Sequence, residues 1–217
     1  MILYRPPPDS GLTVIFADAS LLVVDKPAGL LSVPGRGPGK EDCLLRRAQA
    51  KFADALTVHR LDMSTSGLLL LARGAAMQRE LSRLFRERLV DKRYLAEVEG
   101  CLALDGGEID LPLIGDWPNR PRQKVDLAAG KPSLTRFRTL GRDPAGRASR
   151  VELEPVTGRS HQLRVHLAAL GHPIIGDELY GSGSLDSGER LRLHATELRL
   201  IHPLTGQALH FHSAAPF

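Results

Sequence analysis

Cysteine is scarce in this chain of 217 residues: only Cys43 and Cys101, without metal-ligand spacing and with nothing to imply a disulfide. No apolar run reaches the ~20 residues of a membrane helix, so no membrane partner is expected. The opening Met1-Ile2-Leu3-Tyr4-Arg5-Pro6-Pro7-Pro8 lacks the hydrophobic centre of a secretory signal, which predicts a cytoplasmic protein. No glycine-rich phosphate loop precedes Lys-Ser/Thr, and no G-x-G-x-x-G joins a strand to a helix, so no nucleotide cofactor is expected. The hydrolase elbow G-x-S-x-G is missing too; Gly181-Ser182-Gly183-Ser184 lacks its spacing. Eight histidines raise the question of a metal, but His161 and His166 are five apart, and His194, His202, His210 and His212 fall at alternating strand positions. No carboxylate stands at a zincin-like distance from them, and no metal site is expected.

Lysine is almost as rare as cysteine. Six of the 29 basic residues are lysines and the others arginines, in a chain of net charge +4 and pI near 9.3. A polyanionic partner fits this balance, and arginine suits phosphate and base recognition because its planar fork binds two acceptors and stacks on rings. A genome rich in arginine codons explains the same bias equally well.

Residues 1 to 11 form a Pro-rich, extended lead-in. Leu12–Phe16 and Leu21–Val24 read as strands, ended by Lys26-Pro27-Ala28-Gly29, and Ser32 to Lys40 reads as a mobile surface loop. Asp42 is placed to cap a helix through Phe52, with Arg46, Arg47 and Lys51 on its exposed side. Ala75 to Arg88 is the clearest helix, because Met77, Leu81, Leu84 and Phe85 share one face. Its Arg79, Arg83 and Arg86 form either a solvated face or a phosphate track. Tyr94 to Gly100, Thr135 to Leu140, Val151 to Glu154, Leu191 to Ile201 and Ala208 to His212 read as further strands. His161 to Leu170 reads as a helix with a stripe of Leu163, Leu167 and Leu170, ended by Gly171. Between them, Asp116 to Lys124 holds the only tryptophan, two prolines and several cations, and is not expected to be regular. An aromatic among cations suits stacking on unpaired bases, with Trp117, Arg120 and Lys124 as the candidates; a loop merely anchored by Trp117 is the alternative. Strands dominate over about three helices, predicting an α+β fold around a mostly antiparallel sheet, in one domain over residues 1–217.

Val58-His59-Arg60-Leu61-Asp62-Met63-Ser64-Thr65-Ser66-Gly67 runs into Leu68-Leu69-Leu70-Leu71, a short buried strand. A cation and a carboxylate beside buried apolar chain need partners. Ser64, Thr65 and Ser66 suit a turn whose hydroxyls bond local backbone, putting Asp62 on a constrained loop at a sheet edge. Whether Asp62 caps that turn or does chemistry is left open by spacing.

Beyond spacing, His59-Arg60-Leu61-Asp62-x-x-Thr65-Ser66-Gly67 resembles the central motif of the RluA-type pseudouridine synthases. Leu22-Val23-Val24-Asp25-Lys26-Pro27-Ala28-Gly29 resembles their opening strand, Lys92-Arg93-Tyr94 their tyrosine motif, and Gly158-Arg159-Ser160-His161-Gln162-Leu163-Arg164-Val165-His166 their late arginine motif. The Asp116 to Lys124 segment and the tail look like the RluA dual-specificity subgroup, whose substrates are large-subunit (23S) ribosomal RNA and the tRNA anticodon stem-loop. The resemblance implies a pseudouridine synthase catalytic domain without an S4-like domain, needing no cofactor and acting as a monomer on RNA. By it, Asp62 is the essential carboxylate, Arg164 pairs with Asp62, Tyr94 stacks on the target base, Leu163 packs against that base, and Arg60 fills the space left by the flipped uridine. A non-catalytic RNA-binding or RNA-folding module of the same fold is the alternative.

Overall fold

The computed structural model describes residues 4–182 and 190–217, which leaves 1–3 and 183–189, Gly183 and Ser184 among them, outside the described residues. In chain order the elements are β1 (Thr13–Ala17), β2 (Leu21–Lys26), α1 (Leu44–Gln49), β3 (Ala55–Thr57), β4 (Ser66–Arg73), α2 (Ala75–Arg86), β5 (Asp91–Glu99), β6 (Gly106–Asp110) and β7 (Leu113–Gly115). There follow β8 (Gln123–Val125), β9 (Leu134–Arg142), β10 (Ala148–Pro155), α3 (Gln162–Ala169), β11 (Leu193–Ile201) and β12 (Ala208–His212), with a 3-10 turn at Trp117–Asn119. Two compact units divide them: Met1–Asp91 with His194–Pro216, and Lys92–Leu193 with Phe217.

In the first unit β4 is the central strand. It pairs antiparallel with β2 and β3 and parallel with β11, while β1 lies antiparallel on β2 and β12 on β11. Leu21, Val23, Leu68, Leu70 and Ala72 point to one face, where Met77, Leu81 and Leu84 of α2 and Leu198, Leu200, Leu209 and Phe211 complete the core. The alternate residues Leu22, Val24, Leu69 and Leu71 are also fully buried, so β2 and β4 read as continuous apolar runs because both faces are covered. At ~2–3 kcal/mol for each leucine removed from water, the four-leucine run of β4 is a main source of this unit's stability.

Gly67 is required where β11 crosses: its φ is +109°, and a Cβ there would stand 2.3 Å from the Ala195 carbonyl oxygen. The second unit is an antiparallel sheet in the order β5, β10, β9, β6, with β7 and β8 as a separate hairpin. The β4–β11 ladder is parallel, whereas β4 pairs antiparallel with β2 and β3 and the sheet of the second unit is antiparallel, so the α+β, mostly antiparallel expectation holds.

Several local expectations need correction. Asp42 does not cap α1; Cys43 holds that place without a side-chain bond, and both Asp42 oxygens accept from Arg47 instead (2.9 and 2.7 Å). Arg47 is therefore half-buried and turned to Asp42 rather than lying on a solvated face, and it also donates to the Pro7 and Pro8 carbonyls, tying the lead-in down. Ser32 is no surface residue: its hydroxyl donates to the Leu61 carbonyl (2.7 Å) and accepts from the Leu61 N–H (3.1 Å). The helix α3 is buried on every side from Gln162 to Leu167 rather than along a stripe. The Asp116 to Lys124 segment is more regular than expected, since β8 closes a hairpin on β7. The very short β3, β7 and β8, and the glycine-led β6, had no legible period.

Candidate active site

In the first unit, Asp62 lies half-buried on the loop from β3 to β4. The loop is held by its main chain. Lys26, fully buried at the end of β2, donates from Nζ to the carbonyls of Pro27 (2.9 Å), Leu30 (2.8 Å) and Met63 (3.0 Å). Three carbonyl dipoles are what a buried ammonium needs to stay out of water at tolerable cost. Gly29 donates to the same Met63 carbonyl (2.8 Å), Ser32 brackets Leu61, and the Thr65 N–H closes a turn on the Asp62 carbonyl (3.2 Å). Residues on both sides of Asp62 are thus anchored.

His59 is anchored as well. Its Nε2 accepts from the Leu70 N–H (2.9 Å), which places its proton on Nδ1, and its ring stacks on Phe85 of α2 at 4.4 Å. Arg60, next in sequence, projects as an exposed residue. Ser66 joins a longer chain: its hydroxyl bonds His194 Nδ1 (2.8 Å), His194 Nε2 bonds Ser213 Oγ (3.0 Å), and Ser213 donates to Asp25.

In the second unit, Leu163 and Arg164 are buried on α3. Arg164 makes a two-pronged pair with Asp177, Nε to Oδ2 at 2.8 Å and NH2 to Oδ1 at 2.6 Å. Fork-to-fork geometry fixes the guanidinium in plane as well as in place. Asp177 in turn accepts from the Leu179 and Tyr180 N–H groups (2.9 and 3.1 Å), so a turn is built around the pair.

The start of α3 is set by His161 in the left-handed region (φ 54°) and by Gln162. The Gln162 Oε1 accepts from the Arg159 N–H and the Thr157 hydroxyl, and its Nε2 donates to Leu134 and Thr135. His166, fully buried, bonds the Thr135 hydroxyl (2.9 Å) and the Leu111 carbonyl (3.0 Å). Burial pushes its pKa down, only partly opposed by the Leu111 carbonyl and the Asp110 charge. Tyr94 is buried on β5 opposite Leu153 of β10.

Trp117 is 65% exposed, with the Arg120 guanidinium over its ring at 3.6 Å, and Lys124 is exposed on β8. Other arginines are already paired within the protein. Arg83 of α2 is held by Glu80 and Glu87, Arg136 by Glu108 and Glu154, and Arg138 by Glu152, whereas Arg79 and Arg86 are exposed. The α2 face is therefore less of a phosphate track than its three arginines suggest. Both cysteines are free. Among the described residues no cluster of His, Cys, Asp or Glu has the arrangement of a metal site, and no helix is long and apolar enough to cross a membrane.

Lys26, Asp177 and Tyr180 were not singled out from sequence. The signal for Lys26 is a lysine ending an apolar strand before a proline; Asp177 and Tyr180 lie in an aperiodic stretch after α3 and carry none.

Comparison with known proteins gives these residues a setting. Residues 20–169 match the family described as RNA pseudouridylate synthase. The dual-specificity RNA pseudouridine synthase RluA of Yersinia pestis is 50% identical, over 95% of this chain and 100% of that protein. The protein of the same name from Haemophilus influenzae is 48% identical, over 100% of this chain and 99% of that one. Among solved structures, human RNA pseudouridylate synthase domain containing 1 superposes with a TM-score of 0.81 at 32% identity, covering 98% of this chain and 87% of that one. The chain belongs to the RNA pseudouridylate synthase family and is an enzyme that isomerises uridine in RNA.

Proposed function

We propose that this enzyme acts on two classes of RNA, 23S ribosomal RNA and the anticodon stem-loop of tRNA, flipping its target uridine and isomerising it with Asp62 as the essential carboxylate. The observation that carries the substrate reading is 50% and 48% identity, over 95% and 100% of this chain, to relatives named as dual-specificity enzymes. The reaction breaks the N1–C1′ bond, turns the base and joins C5 to C1′, and C5 gives up its proton while N1 takes one. Atoms and electrons balance without oxidant or water, so the proposal includes no cofactor. Asp62 forms an adduct or acts on the ribose, and its anchored loop supports either role, because a reacting group must be held still. Tyr94 stacks on the target base, Leu163 packs against it and Arg164 orients the reacting carboxylate; Arg60, exposed, occupies the gap in the RNA stack. Trp117, Arg120 and Lys124 contact RNA away from the reacting base. The protein works in the cytoplasm as a monomer, and residues 1–217 serve as one catalytic domain.

The test is pseudouridine mapping of bulk RNA from cells with and without the protein, complemented by the wild type or by Asp62→Ala. The expected outcome is loss at one anticodon-loop site and one ribosomal site, restored only when Asp62 is intact. Loss at a single site narrows the substrate. Loss at none, or rescue by Asp62→Ala, overturns the catalytic proposal in favour of an RNA-binding module.

A further inference from the structure

Tyr180 sits where three parts of the second unit meet. Its hydroxyl accepts from the Gln123 N–H at the start of β8 (2.7 Å) and bonds His161 Nδ1 just before α3 (2.7 Å). Its own N–H is bound by Asp177, the carboxylate that grips Arg164. Its ring lies edge-on to His161 and within reach of two guanidiniums, Arg122 at 5.4 Å and Arg164 at 5.2 Å from the centroid. One side chain thus connects the strand that ends the Trp117–Lys124 segment to the turn and helix that aim Arg164. A hydroxyl that only needed solvation would not require a backbone N–H from β8, and Gln123 is the residue at which that segment enters the β7–β8 hairpin.

We propose that Tyr180 is a positioning residue: it sets the Trp117–Arg120 platform relative to Arg164, so that the second unit presents RNA contact and catalytic arginine as one rigid piece. The proposal rests on the reading of Trp117 and Arg120 as RNA contacts. In it Tyr180 touches neither base nor ribose, and its influence passes through the Gln123 N–H and through the Asp177 turn.

Tyr180→Phe keeps the ring and deletes the hydroxyl, and Trp117, as the only tryptophan, reports on the platform by fluorescence. In the full-length protein without RNA, the Gln123 amide should exchange with solvent about ten-fold faster, as expected when one hydrogen bond is lost, and Trp117 anisotropy should fall. Unchanged exchange and anisotropy in a variant with wild-type melting behaviour would overturn the inference.

With an anticodon stem-loop as substrate, Tyr180→Phe should raise KM about three- to ten-fold, the worth of one hydrogen bond, and change kcat less. Combined with Trp117→Ala, it should raise KM no further than Trp117→Ala alone; additive effects would overturn the coupling. If Trp117→Ala by itself leaves KM unchanged, the platform is not an RNA contact, and the recognition part of the proposed function fails on a result that does not involve Tyr180.

Discussion

The Asp62 loop of the first unit and the Arg164 turn of the second are both held rigidly, but by opposite chemistry. Around Asp62 the restraints are main-chain carbonyls and amides, gathered by Lys26 and Ser32 and backed by a sheet buried on both faces. Around Arg164 buried side chains also bond one another, in addition to their main-chain partners: Asp177 with the guanidinium, Gln162 with Thr157 and Thr135, His166 with Thr135. An apolar sheet tolerates many substitutions that keep volume, whereas a buried polar network fails when one member is lost, because its partner stays buried without a mate. The first unit should therefore be vulnerable to shape and the second to charge.

Gly67→Ala tests the first half of that contrast and should have the largest effect. A methyl 2.3 Å from the Ala195 carbonyl, on a backbone at φ +109°, predicts a loss of roughly 3–6 kcal/mol in denaturant unfolding, from backbone strain and overpacking together. A loss under about 1 kcal/mol would mean that β11 is free to shift, and the shape argument would be wrong.

Asp177→Ala tests the second half. Leaving the Arg164 charge buried without this carboxylate should cost about 3–5 kcal/mol, and turnover should fall as the guanidinium loses its aim. A fully stable variant would show that the pair is not what holds the turn.

The smallest effect concerns pH. His166 has its pKa depressed in the fold, so the stability tied to its neutral form is complete above the unfolded value near 6.5 and is lost as pH falls from there toward the folded one. Across that window unfolding measurements should show stability falling by up to about 1.4 kcal/mol per pH unit, and His166→Gln should flatten the slope. An equal slope in the variant would assign the acid sensitivity to another group.

The same contrast explains what could be read from the sequence. The runs in β2 and β4 and the apolar face of α2 announce themselves, because burial leaves a period or a continuous stretch. Asp62 and its loop were legible because a carboxylate and hydroxyls beside four leucines demand explanation. The role of Lys26 was not, since a lysine at a strand end looks the same whether it faces water or three carbonyls. Asp42 misled for a related reason: a helix-capping residue and an arginine partner are the same side chain, and only Arg47 five residues on decides which it becomes. Asp177 and Tyr180 were invisible because their partners, Arg164 and Gln123, are distant in sequence and no periodicity connects them.

One topological feature bears on how the protein is made. The first unit takes its opening strands from one end of the chain and β11 and β12 from the other. During synthesis the apolar face of β2, β4 and α2 emerges early, yet Leu198, Leu200, Leu209 and Phe211, which cover it, are translated only after the strands and helix of the second unit. A nascent chain therefore carries an open hydrophobic face throughout the making of the second unit, which has all but its last residue in hand before the first can close. The unit that anchors Asp62 closes only after β11 and β12 have been made, so a product truncated before them lacks the cover of the sheet that backs the Asp62 loop.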